Sequence, residues 1–202
     1  MKDSYSRWLL VSDIDGTLND KSMNLPTVNK EAIERFVNCG GTFTLCSGRN
    51  LQSLSIHYNK LGIKTPAIFL NGAGIYDFEK AKTVYFNSIS PEGEKIILDI
   101  FSKYKLLQLT VFGVDKLYLA KKTCFYGFIV SKLDNLNYEF CKNIDDLPTG
   151  VWGKASFFGT RKLVKKVENL IKTEYNNYLD CFFTSPFTLE VVAKGVNKGA
   201  AV

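Results

Sequence analysis

Apolar and polar positions alternate in blocks along the first 82 residues, and the blocks change period as the chain proceeds. Trp8-Leu9-Leu10-Val11 is a short apolar run that gives way to Asp13-Ile14-Asp15-Gly16-Thr17. A run of that length bounded by a glycine turn predicts a buried β-strand. Val28, Ala32, Ile33 and Phe36 recur at helical spacing and predict a helix from Thr27 to about Val37, stopped by Gly40-Gly41. Thr42–Cys46 reads as a second strand, Leu51, Leu54, Tyr58 and Leu61 as a helix ending near Gly62, and Ala67–Leu70 as a third strand. Strand and helix in turn predict a parallel βαβαβ layout.

The rhythm changes near residue 83 and stays changed to about 186. A helix after Pro91 (Ile96, Ile97, Ile100, Phe101, Tyr104) precedes short runs at Leu106–Phe112, Lys116–Ala120, Cys124–Val130 and Val151–Phe158. A helix from Arg161 and a run at Leu179–Thr184 follow, and Thr188–Val192 leads back toward Lys198. Grouped strands with helices predict a separate α+β domain. The boundaries expected are 1–82 plus 187–202 for the first domain and 83–186 for the second.

Chemistry concentrates where the first strand opens into its loop. Side chains two apart on an extended chain share a side, so Asp13 and Asp15 are expected to leave the strand facing one ligand. Gly16 lets the backbone turn away at φ > 0. Paired carboxylates there suit a divalent cation with oxygen ligands. They equally suit covalent catalysis, one as nucleophile and the other as acid/base, or a polar turn whose aspartates cap the backbone. Two further strands end in small polar residues and glycine, at Ser47-Gly48-Arg49 and Asn71-Gly72-Ala73, and Gly195-Val196-Asn197-Lys198-Gly199 lies near the end of the chain. Ligands of open parallel sheets bind beyond such strand ends.

These four motifs, in this order, resemble the haloacid dehalogenase superfamily, in its Cof-type branch of phosphatases. The resemblance implies an α/β fold: a Rossmann-like parallel-sheet core, incomplete at its C-terminus, with residues 83–186 as an inserted α+β cap that chooses the substrate. It implies Asp13 as a nucleophile forming an aspartyl-phosphate and Asp15 as general acid, then base. Mg²⁺ would be held by the Asp13 carboxylate and the main-chain carbonyl of Asp15. Ser47, with Gly48, would bind phosphoryl oxygens, Lys198 would steady nucleophile and phosphate, and Asn71 and Arg49 would lie near the site. A phosphoryl group spreads charge over its oxygens during transfer, so positioned cations and donors suit those roles. Ser47 also reads as the N-cap of the helix that follows. The activity implied is Mg²⁺-dependent hydrolysis of a small phosphorylated metabolite, such as a sugar phosphate or phosphorylated cofactor. A phosphomutase, or a non-catalytic phospholigand-binding or interaction protein, is the alternative.

The family's acidic Gly-Asp-x-x-x-Asp run is absent from the 202 residues. The expectation is therefore a fragment, or a decayed copy, of a longer phosphatase. Such a chain should be impaired alone and prone to oligomerise through an uncovered first strand.

Composition narrows the partners. No apolar run reaches about 18 residues and the N-terminus is polar, so neither a membrane span nor a signal segment is expected. The five cysteines show no CxxC spacing, as suits free thiols in the cytoplasm; Cys46 reads as core filler. A net charge of +6 and pI near 9.0 raise nucleic acid as a partner. Yet Arg161, Lys162, Lys165, Lys166 and Lys172 interleave with Leu163, Val164, Val167, Leu170 and Ile171 at helical spacing, the solvated back of a packed helix. No nucleic-acid signature accompanies them, and the positive field suits anionic phosphates. His57, the single histidine, is expected at a helix surface.

Overall fold

The computed structural model describes residues 4–120 and 136–202, which divide into two units, 1–86 with 197–202 and 87–196. In the first unit, β1 (Leu9–Ser12) pairs in parallel with β2 (Thr42–Leu45), with Leu10 beside Phe43 and Ser12 beside Leu45. Parallel neighbours need a long crossover, and α1 (Thr27–Asn38) supplies it. A parallel bridge from Cys46 to Ile68 carries the layout on to β3 (Ala67–Phe69), with α2 (Leu51–Leu61) between. The helix ends as the sequence predicts, on Gly62 at φ 61, a conformation only glycine adopts without strain.

Past β3 the first unit does something its sequence rhythm did not announce. β4 (Gly74–Asp77) and β5 (Lys82–Phe86) fold back as an antiparallel meander on β3. Gly74 is needed there because a β-carbon would meet the Phe69 ring at 2.2 Å. Phe43, Leu45, Leu54, Tyr58, Leu61, Phe69 and Leu70 are all buried, one face of α2 and the strands behind it. Trp8, Leu9 and Leu10 are exposed.

The second unit is built on a six-stranded sheet in the order β10-β11-β9-β6-β7-β8. Its strands are β6 (Gln108–Phe112), β7 (Leu117–Ala120), β8 (Tyr138–Cys141), β9 (Lys154–Phe158), β10 (Leu179–Ser185) and β11 (Thr188–Ala193). All neighbours are antiparallel except β7 and β8. Alternation sorts the faces: Leu109 and Val111, Ala155 and Phe157, Leu189 and Val191 are fully or nearly fully buried. α3 (Pro91–Lys103) and α4 (Arg161–Glu174) bury Ile97, Ile100 and Phe101, and Val164, Val167 and Ile171. Ser90 and Thr160 cap the two helices through their side-chain oxygens. The basic residues of α4 do lie on its outer side, where Lys165 and Lys172 both pair with Glu168.

Two expectations change. Residues 187–196 belong to the second unit, because β11 spends its hydrogen bonds on β10 and β9. Residues 83–86 belong to the first, as the last strand of its meander. The run expected at Cys124–Val130 lies outside the described residues. No helix among the described residues is long and apolar enough to cross a membrane.

Candidate active site

β1 ends at Ser12, and the chain enters a wide turn over Ile14–Leu18 closed by Asn19 N–H donating to the Ile14 carbonyl at 2.9 Å. Asp15 and Gly16 break helical geometry inside that turn, Gly16 at φ 75 as its residue type predicts. Asp13 Oδ1 accepts from the Ile14 N–H at 2.7 Å, so one oxygen is oriented by the backbone. Its Oδ2 lies 2.6 Å from Lys198 Nζ. The motif at the start of the chain and Lys198 thus meet in space.

Asp15 faces a different cation. Arg49 grips it as a fork, Nε to Oδ2 at 2.9 Å and Nη2 to Oδ1 at 2.7 Å, while Nη1 donates to Ser53 Oγ at 2.9 Å. These bonds from Arg49 pull the Asp15 carboxyl below its ordinary pKa against the opposing effect of burial. The two aspartates therefore do not converge on one bare point: each is paired with its own cation. Arg49 is the residue that sequence reasoning left without a role. Its reach was hidden by the 34 positions separating it from Asp15 and by its place one residue before the Asn50 cap of α2.

Ser47 is fully buried directly after β2. Its N–H donates to the Ile68 carbonyl and its Oγ accepts from the Arg49 N–H at 3.3 Å. It is not the cap of α2. Asn50 is, accepting from the Ser53 N–H at 2.9 Å. Asn71, buried and left-handed at φ 60, donates its N–H to the Ser47 carbonyl. Its side chain lies so close to Gly48 that a β-carbon on Gly48 would stand 2.5 Å from Asn71 Oδ1. The structure thus brings Ser47, Gly48 and Asn71 together at the ends of β2 and β3.

Cys46 is buried, and burial pushes its thiol up to about 11. An un-ionised thiol is core filler, not a nucleophile. His57 corrects the surface placement: it is buried on the Leu54, Tyr58, Leu61 side of α2, and its Nε2 lies 3.1 Å from Asn19 Nδ2.

The oxygen donors suit Mg²⁺ chemically, since that ion takes one or two carboxylates and completes its shell with water and substrate oxygens. The Asp13 carboxylate and the Asp15 main-chain carbonyl are of that kind. No cluster of three or more His, Cys, Asp or Glu side chains occurs among the described residues.

Residues 10–202 match the family model for haloacid dehalogenase-like hydrolases. A protein of Buchnera aphidicola subsp. Baizongia pistaciae that carries a provisional phosphatase name is 28% identical over 199 residues, 95% of this chain and 71% of its own. Pyridoxal phosphate phosphatase YbhA of Escherichia coli is 34% identical over 76 residues, 38% of this chain and 28% of its own. A haloacid dehalogenase-like hydrolase structure from Bacteroides thetaiotaomicron superposes with a TM-score of 0.82 at 20% identity, covering 96% of this chain and 74% of that one.

Proposed function

The chain belongs to the haloacid dehalogenase-like hydrolases, of Cof type, and we propose on that premise that it hydrolyses a small phosphorylated metabolite through an aspartyl-phosphate. Its enzyme class is phosphoric monoester hydrolase. The observation that carries the chemistry is the Asp13–Lys198 pair at 2.6 Å beside an oriented second oxygen. A carboxylate whose position is held from two sides is preorganised for in-line attack, and an ammonium against it offsets the charge of an arriving phosphate.

In the first half-reaction an Asp13 carboxylate oxygen bonds to phosphorus, the ester P–O bond breaks, and Asp15 gives its proton to the leaving oxygen. In the second, Asp15 takes a proton from water, the hydroxyl oxygen bonds to phosphorus, and the bond to Asp13 breaks to release phosphate. Ser47, the backbone at Gly48, Asn71 and Lys198 would bind phosphoryl oxygens. The Asp13 carboxylate and the Asp15 carbonyl would hold Mg²⁺, which when bound neutralises phosphoryl charge.

The leaving group distinguishes one metabolite ester from another, so discrimination is expected from the second unit, acting as a cap. Relatives named for pyridoxal phosphate and for a phosphoribitylamino-uracil support a small phosphorylated metabolite as the substrate class. The test is turnover of an aryl phosphate with Mg²⁺ and with chelator, by the wild type and by Asp13→Asn. Asparagine keeps the shape and loses the nucleophile, so the variant should be inactive. Near-normal turnover by it would overturn the mechanism.

A further inference from the structure

The turn that carries Asp15 is anchored at its ends by the buried side chains of Ile14 and Leu18, while its middle, Asp15 to Thr17, is exposed. Its two central residues are non-helical, and its closure rests on Asn19 N–H donating to the Ile14 carbonyl and on Asn29 Nδ2 donating to the Leu18 carbonyl at 2.9 Å. A further polar hold comes from α2 and from the residue ahead of its cap. Arg49, just before its first turn, grips the Asp15 carboxylate. Two turns further along, His57 Nε2 meets the side chain of Asn19, the residue that closes the loop. Both Asn19 and His57 are more than nine-tenths buried, and Asn19 Oδ1 has no hydrogen-bond partner. The contact to His57 is thus the amide's side-chain anchor. An amide nitrogen only donates, so the imidazole accepts at Nε2. Burial, then the charge of Arg49, lowers the His57 pKa, which keeps that lone pair available at neutral pH.

We propose that His57 is a positioning residue for the acid/base loop: through Asn19 it fixes the far end of the turn whose near end bears Asp15. The loop is then held at two points, its carboxylate by Arg49 ahead of the helix cap and its closing residue by His57 on α2. A buried asparagine and histidine joined only for packing would be replaceable by any apolar pair of similar volume. A strut is not, because Asn19 must be held at the place Nε2 occupies.

That difference makes the test. Glutamine can present a polar atom near the Nε2 position, whereas asparagine reaches only as far as Nδ1. His57→Gln should retain function, and His57→Asn and His57→Leu should lose it. The catalytic consequence rests on the proposed phosphatase reading; the structural one does not, so both are read. Hydrogen–deuterium exchange of the amides in residues 14–19 should quicken in His57→Leu and His57→Asn and stay near wild type in His57→Gln. Aryl phosphate turnover should show kcat lowered roughly 10- to 100-fold in the same two variants, the range expected when a catalytic group is misplaced by about 1 Å, with KM little changed. Exchange at 14–19 that is unaltered by His57→Leu, or equally altered by all three substitutions, overturns the strut. Exchange that follows the expected order, in a protein whose wild type hydrolyses nothing, supports the strut and counts against the phosphatase reading alone. If His57→Leu fails to fold, the comparison of His57→Gln with His57→Asn decides the matter by itself.

Discussion

Replacing Gly72 by alanine should disable turnover by moving Lys198, a residue 126 positions away in sequence. Gly72 closes the turn after β3 at φ 102, and a β-carbon there would stand 2.3 Å from the Asn197 carbonyl oxygen and 2.7 Å from its carbonyl carbon. Real β-carbons keep at least 3.0 Å, and backbone atoms have no alternative rotamer to retreat into. The contact must therefore open by about 0.7 Å or more, and displacement of Asn197 carries Lys198, the next residue, with it. That lysine now meets Asp13 at 2.6 Å. A misplacement near 1 Å costs up to about 10² in rate, so kcat should fall roughly 10- to 100-fold.

A second effect has to be separated from the first. A side chain at positive φ strains the backbone by about 1–2 kcal/mol wherever it sits. Gly62→Ala supplies the control: its φ is 61 and nothing lies within 4 Å of the added carbon, so it carries the strain without the collision. Steady-state hydrolysis of an aryl phosphate, with denaturant unfolding of each variant, reads both effects. If the collision acts through Lys198, Gly72→Ala should add little to Lys198→Met in a double-mutant cycle. Equal kcat for Gly72→Ala and Gly62→Ala would refute the reasoning.

Other outcomes follow from the same contacts. Arg49→Met should raise the Asp15 pKa that Arg49 holds down. Because ionised Asp15 is the base, the rate is lost as pH falls through its pKa, so the acid limb of the kcat–pH profile should move to higher pH; an unmoved limb would dissociate Asp15 from that step. Asn50→Ala removes the cap of α2 and should cost about 0.5–2 kcal/mol in denaturant unfolding; full stability would show that the cap is dispensable. Exchanging residues 87–196 for the matching segment of a related phosphatase should carry the substrate profile with it, as a panel of phosphate esters would reveal. A profile that stays with the first unit would sink the cap assignment.

Much of the first unit was legible in the sequence, because its signals are local. A four-residue apolar strand, a charged turn and a glycine at positive φ determine the Asp13–Gly16 region within a few residues. Helices α1 and α2 announce themselves by spacing and by the glycines that follow them. What stayed hidden is what depends on distant partners. The β4–β5 meander consists of short strands, one of them almost wholly exposed, and leaves little periodicity to read. β11 looks like a return to the first domain until its pairing is known. His57 looked like a surface residue because a lone polar side chain beside an apolar stripe is usually solvated. Only the fold supplies Asn19.

The site itself was half legible for the same reason. Spacing marked Asp13 and Asp15 as a pair, and physics then suggested a shared ligand. The structure divides them instead between Lys198 and Arg49. That division fits the proposed chemistry, since the two carboxylates have unlike tasks. A nucleophile must be ionised when it attacks, whereas an acid/base must gain and lose a proton within each turnover. The fork from Arg49 favours the ionised form of Asp15, which is ready to accept a proton from water in the second half-reaction. It opposes the protonated form that the first half-reaction consumes. Loss of the Arg49 fork should therefore ease formation of the aspartyl-phosphate and slow its hydrolysis, shifting the balance toward the covalent intermediate.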